Sequence, residues 1–371
     1  MYFYPRSSLD AETAQTVQSR LLSWTVRLVQ QDEKKLVLKK LCSTLCTYFI
    51  RSPVLWQNPL LHLAISLQQG EVVHDLPIDD RETVMNKALS ALTSQQIVVL
   101  LWFAATLAEE VGKVDSGTPG YARLHTEMES IVRDASQVMK SAFGQLDSTN
   151  DSSLKREALI CFIAWVNYAQ PIWPRNPEAL QNLRNLIPAG LQCIYDDQIA
   201  EDSIEMFRDI LEGYTTFFAP VHMDMIADII RNHMQPILER AVAEKDETGE
   251  PYGRFVVAYG AANIQQVIEE SSRGGTTAIV VKLVLSFLDS EGYPGDDLFL
   301  AFGSVEFWNT YIEYVNDEIF SADPDGEEPS WAAHARQVMK RVVELLWRKL
   351  WTPTNDVAKG WRDEEREMFK E

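Results

Sequence analysis

The period of the apolar residues is what most constrains this chain. Leu38, Leu41, Cys42, Leu45, Cys46 and Phe49 recur at three- and four-residue steps. Ile97, Leu101, Ala104, Ala108 and Val111 repeat the beat, as do Val305, Trp308, Ile312, Val315 and Ile319, and then Val338, Val342, Leu345 and Leu346. That is one face of an α-helix, and two-residue strand alternation is scarce. The segment TTAIVVKLVLSF (276–287) is rich in β-branched residues, but its length and neighbours favour a helix.

Breaks carrying Pro, Gly, Asn or Asp fall at short, regular intervals, as in QQGEVVHDLPIDD, KVDSGTPG, SEGYPGDD and DPDGEEP. The spacing predicts helices over 10–30, 34–50, 54–68, 81–92, 94–113, 120–145, 153–169, 176–195, 198–213, 220–244, 252–272, 276–289, 304–320, 330–350 and 357–370. Short connections make consecutive helices antiparallel neighbours. Pairs of roughly 40 to 50 residues match the period of HEAT or armadillo arrays. The expected fold is all-α, an α-α superhelix of about seven helical pairs, running as one continuous HEAT-repeat array over 1–371.

Helix starts and stops are read from capping chemistry. Ser94 in SQQI and Asp151-Ser-Ser are expected caps. In LICFIAWVNYAQPIWPRNPEAL, Phe162, Trp165 and Tyr168 fall on one face, and Pro171 and Pro174 are expected to stop the helix. Asn176 then caps the next helix, with Pro177 at its first position. Trp56, Trp173, Trp351 and Trp361 lie at junctions, where a large ring can seal the seam between repeats. Trp165, Trp308 and Trp347 are expected in the core.

No catalytic constellation emerges. GYPGDD and SRGG lack the strand context and the lysine of a phosphate loop. His62, His74, His125, His222, His233 and His334 are scattered and form no HExxH. Cys42, Cys46, Cys161 and Cys193 sit in helical apolar patterns and read as buried, reduced thiols, which implies a reducing compartment and no cofactor or metal. Asp296-Asp297 reads as a cap on a short helix, DDLFLAF, rather than an acid/base pair.

Charge points to partners instead. The formal net charge is −20, which argues against bare nucleic acid and anionic membrane and favours basic proteins. No apolar run has the length of a membrane span. From Leu283 to Ala335 there is no Lys or Arg, while acids recur at Asp289, Glu291, Asp296, Asp297, Glu306, Glu313, Asp317, Glu318, Asp323, Asp325, Glu327 and Glu328. A second acid-only stretch, between Arg184 and Arg208, holds Asp196, Asp197, Glu201, Asp202 and Glu205. Two readings stay open: a solvated acidic surface, or a surface for basic protein. In the second, Asp296, Asp297, Asp323, Asp325, Glu327 and Glu328 are the candidate contacts, with Trp331 as an exposed aromatic beside them.

Three stretches resemble a known family. LICFIAWVNYAQPIWPRN (159–176), VEFWNTYIEYV (305–315) after SFLDSEGYPGDD, and KKLVLKKLCSTLCTYFIRSPVLWQNPLLHL (34–63) look like repeat junctions of the importin-β superfamily, in the importin-13 and transportin-SR branch. The resemblance implies a nuclear transport receptor shuttling between cytoplasm and nucleus. Its outer helices would face outward, and its inner helices would line a concave side that takes protein cargo and the GTP form of the GTPase Ran. It admits nucleoporins as further partners. It also implies outer helices at 34–50, 153–169, 252–272 and 304–320, with inner partners at 54–68, 176–195, 276–289 and 330–350. Helix 10–30 would then be an inner helix and 357–370 an outer one, each without its mate. The chain is accordingly expected to be a fragment, incomplete at both ends. DPDGEEP (323–329) is expected to act as the acidic loop that helps hold Ran. A HEAT-repeat scaffold unrelated to Ran, and an all-α enzyme with a deep polar pocket, are the alternatives.

Overall fold

A computed structural model describes residues 10–51, 55–74, 76, 80–114, 122–144, 152–174, 176–244, 246–290, 299–320 and 329–349. The described residues are helices and their connections, with no strand among them, and the fold class is the all-α, HEAT-type solenoid that the periodicity predicts. They divide into two compact units, Met1–Met206 and Phe207–Glu371.

In the first unit, α2 (Lys35–Arg51), α5 (Ser94–Gly112) and α7 (Ser152–Ile172) pack side by side as one layer, called A. Helices α1 (Ala11–Gln30), α3 (Pro59–Gln69), α4 (Arg81–Ser90), α6 (Ala122–Gly144) and α8 (Pro177–Arg184) form layer B, with α9 (Ile187–Gln192) against α6. The layers meet where α1 packs on α2, α3 on α5 and α6 on both α5 and α7. The apolar stripes explain this. Ile97, Leu101, Ala104, Ala108 and Val111 are all buried, and so are Leu38, Cys42, Leu45, Cys46 and Phe49. Each helix hides one stripe, and two layers are the least that can cover them.

Aromatic rings seal the junctions. Trp56 stacks on Phe103 with centroids 5.8 Å apart, and its indole N–H donates to Nδ1 of His62 at 3.2 Å. The other imidazole nitrogen lies 2.7 Å from the Val73 carbonyl, so the proton sits on Nε2 and the ring is neutral. Trp173 meets Tyr168 edge to face at 5.1 Å. Phe162, Trp165 and Tyr168 are buried as expected. Trp351 and Trp361 lie outside the described residues, as does the helix expected over 357–370.

Several boundaries differ from the sequence reading. Helix α7 continues through Pro171 to Ile172, because a proline one residue from the end removes a single hydrogen bond in a turn that is already closing. Asn176 does cap α8, accepting from the Ala179 N–H at 3.2 Å, with Pro177 in the first turn. The cap of α5 is Thr93 rather than Ser94. Its hydroxyl accepts from the Gln96 N–H, and the Gln96 side chain accepts from the Thr93 N–H. The stretch expected as 54–68 begins at Pro59, after Asn58 in a left-handed conformation. The one expected over 176–195 breaks before Pro188.

The second unit repeats the plan. Layer A holds α13 (Glu250–Ala262), α14 (Ile264–Glu270) and α16 (Phe299–Phe320). Layer B holds α12 (Gln235–Glu244), α15 (Gly275–Asp289) and α17 (Ala332–Lys349), and α15 packs against α13, α14 and α16. The 252–272 helix breaks at Asn263, whose side-chain amide donates to the Tyr259 carbonyl and competes with the backbone ladder. Within 220–244, a π-helical turn at Ile230–Met234 separates α11 (Pro220–Ile229) from α12. The wide turn accommodates Pro236, which has no N–H to give. The segment read as a short helix after Asp296-Asp297 is the first turn of α16. Gly260 lets α13 approach its neighbours: a Cβ there would lie 2.8 Å from the Phe307 ring and 3.1 Å from Val280. One core assignment fails: Trp347 is exposed. Val305 keeps the helical beat and is exposed too, and Ser304, Phe307, Trp308, Tyr311 and Val315 make the buried face of α16.

Candidate functional site

Of the expected partner contacts, Asp296, Asp297, Asp323, Asp325, Glu327 and Glu328 lie outside the described residues. Trp331 is described and is buried rather than exposed. Its ring tilts against Tyr314 at 6.3 Å, and its carbonyl accepts from the Ala335 N–H. The proline and acids before it suggested a loop. Burial on α16 is a tertiary fact that one segment cannot reveal.

The described acids fall into two groups. Some hold the fold together. Asp289, at the end of α15, accepts from Arg341 and Arg348 of α17, each at 3.1 Å. Asp196 accepts from Ser152 at 3.1 Å and lies 3.7 Å from the Lys155 ammonium, and Asp202 accepts from Arg156 at 2.8 Å. The remainder face solvent: Asp197, Glu201 and Glu205 in the first unit, and Glu306, Glu313, Asp317 and Glu318 along α16. Burial, with Asp209 and Glu306 nearby, pushes the Glu212 carboxyl up against the pull of Arg208. An acidic surface on layer A of the second unit is therefore real, and it crowds carboxylates that a cation would relieve.

Two shallow grooves lie along layer B helices of the described residues, one in each unit. One shallow groove, about 740 Å³, runs between α1 and the turn after α3, lined by Thr16, Arg20, Arg27, Glu71 and His74. The other, about 360 Å³, lies between α15 and α17. Val281, Leu285 and Val338 floor it, and Lys282 and Arg341 rim it. Both mix charge with apolar surface in the manner of a protein contact. The thiols are sequestered: burial pushes Cys42 and Cys46 up to about 12 and Cys193 to about 11.

Sequence reading missed a basic cluster. Lys35 and Lys39 of α2 place their ammonium groups 5.2 and 5.1 Å from the ring centroid of Trp102 on α5. The Trp102 indole donates to Glu157 at 2.8 Å, and Lys35 donates to the other oxygen of that carboxylate at 2.6 Å. Burial pushes Glu157 up, but these two hydrogen bonds together with the charges of Lys35 and Lys39 outweigh it and hold the carboxyl below its usual value. The run EKKLVLKK was the available signal. Its convergence on a tryptophan more than sixty residues away was not.

Comparison with known proteins meets this architecture from outside. The chain is 23% identical over 218 residues to the importin beta-like protein kap111 of Schizosaccharomyces pombe, covering 57% of this chain and 21% of that protein. It is 22% identical over 220 residues to importin-13 of Gallus gallus, covering 58% and 21%. With importin-13 of Bos taurus the match is 20% over 373 residues, 98% of this chain and 34% of that protein. Across these stretches the chain is similar to importin-β-like proteins. No protein-family model matches it. The chain spans between 21% and 34% of the length of those relatives. Among its described residues, no helix is long and apolar enough to cross a membrane.

Proposed function

We propose that this chain is part of a nuclear transport receptor of the importin-13 branch. It acts by binding rather than catalysis, and its partners are protein cargo and the GTP form of Ran. The observation that carries the reading is the order of layers. Within the first unit α1, α3 and α8 separate from α2 and α7, and within the second α15 and α17 separate from α13 and α16, a separation that supports the inner and outer pairing the resemblance implies. The 98% coverage by one importin-13 supports the same reading. In each unit the groove-bearing layer B is the side that takes cargo or Ran. Nucleoporins are further partners, and the protein moves between cytoplasm and nucleus.

Cargo and Ran would be linked, each changing the affinity for the other by the same factor. Asp296, Asp297, Asp323, Asp325, Glu327 and Glu328 attract the basic surface of a partner, and Trp331 anchors the start of α17. Titrating Ran in its GTP and GDP forms against the full-length protein tests the proposal. Preference for the GTP form is expected. Equal affinity for both would sink the transport reading, and a stoichiometric complex indifferent to the nucleotide would replace it with a scaffold. Reversing Asp323, Asp325, Glu327 and Glu328 to Lys is expected to weaken the basic partner and flatten its salt dependence.

A further inference from the structure

The basic cluster on α2 is the feature the transport reading leaves unused. In a chain of net charge −20, α2 has no acidic residue. Lys35, Lys39 and Lys40 lie in its first two turns, with Lys34 just before it. We infer that this face of layer A docks a short acidic segment of a partner protein, one that also carries an apolar side chain.

The geometry supplies both halves of that chemistry. The buried face of α2 is Leu38, Cys42, Leu45, Cys46 and Phe49. Leu36 and Lys40, one turn apart, point the opposite way, and Leu36 is 80% exposed. On the flank between, Lys35 and Lys39 stand over the half-buried ring of Trp102. Glu157 answers Lys35 and fixes the indole. Lys34, Lys39 and Lys40 have no carboxylate in ion-pair contact among the described residues. The face is a rigid ring and an open leucine framed by unanswered ammonium groups.

Helix stability does not account for it. The first turn is the positive end of the helix dipole, where cations are unfavourable. Like charges one turn apart repel as well. Packing on Trp102 accounts for Lys35 and Lys39 but not for Lys34, Leu36 and Lys40, which are exposed. An anionic partner relieves all of these costs at once. A patch opposite in sign to the rest of the chain also orients the approach of that partner. The strongly negative remainder of the chain repels an extended polyanion such as nucleic acid, so the occupant is compact and locally acidic. Leu36 and Trp102 supply the apolar anchor that charge alone lacks. This surface belongs to other residues, and to the opposite partner charge, than the acidic tract of the proposed function. It can fail or hold separately.

The test uses the full chain and a fluorescein-labelled peptide of repeated Glu-Asp-Leu triplets, read by anisotropy. Saturable binding that weakens as salt rises is expected. Lys34→Glu combined with Lys40→Glu is expected to weaken it about tenfold, and Leu36→Ser about threefold, in keeping with exposed charges and one apolar contact. These side chains are exposed, so circular dichroism should show an unchanged fold. Lys140→Glu, on exposed α6 surface, should leave binding as it was. Binding that ignores the two reversals overturns the inference. Competition by an oligonucleotide or by phosphatidylserine vesicles as strong as by unlabelled peptide would make this a general polyanion surface, and that also overturns it. Self-association abolished by the reversals would assign the face to an acidic surface of a second copy, and the partner peptide would be abandoned.

Discussion

Helices α2 and α16 hold the same place in their units, each in layer A with one face buried against its neighbours. Their exposed faces are opposites. Helix α2 carries Lys35, Lys39 and Lys40 and no acid, whereas α16 carries Glu306, Glu313, Asp317 and Glu318 and no base. The buried faces are alike in kind, with Phe49, Leu45 and Cys42 in one and Trp308, Phe307 and Tyr311 in the other. In a solenoid a repeat touches only its neighbours, so the apolar stripe is constrained by the array while the outward face is free to change sign. Architecture is repeated; recognition is local.

The largest expected effect tests whether the two buried faces are equivalent. Trp165→Ala in the first unit and Trp308→Ala in the second should each cost about 3–5 kcal/mol in urea unfolding. A marked inequality would show that one unit packs its core less tightly than the other. Gly260→Ala comes next, expected to cost about 1–3 kcal/mol because its new methyl must displace Phe307 or Val280. A neutral result would mean that α13 and α16 can separate without penalty, and the likeness of the two cores would fail there.

Glu157→Gln tests the basic side of the comparison, since it removes the charge beneath Lys35 and Trp102. A loss of about 1–2 kcal/mol is expected near neutral pH. The sign follows from the lowered carboxyl value. Glu157 contributes stability that is present above its ordinary 4.5 and lost as pH falls through its folded value. Wild type and Glu157→Gln should therefore converge in acid, and parallel curves across the range would discard the pairing. The smallest effect is at the surface: Lys40→Ala and Glu313→Ala should each change stability by less than about 0.5 kcal/mol. If either exceeds that, the outward faces are structural and the division between architecture and recognition is too sharp.

Most helices were legible because each needs only its own period and its own caps. Asn176 and Pro177 start α8 as read, and the junction tryptophans Trp56 and Trp173 are buried where proline breaks placed them. The misreadings share a cause. Val305 and Trp347 follow the helical beat and yet are exposed, since a beat defines a stripe but not how much of its width a neighbour covers. The acid tract was visible as a run of charge. That Asp289 within it is tied to Arg341 and Arg348 was invisible, because those arginines come fifty residues later.

The sequence by itself determined the helices, their order and the sign of each exposed face. These depend on side chains a turn or two apart on one element, where geometry is set by the backbone. Tertiary structure decided which helices share a layer, which acids are bound inside the fold, and which residues meet around Trp102. Those are contacts between distant segments, and apolar burial, being non-directional, brings helices together without specifying which polar groups then fall within reach.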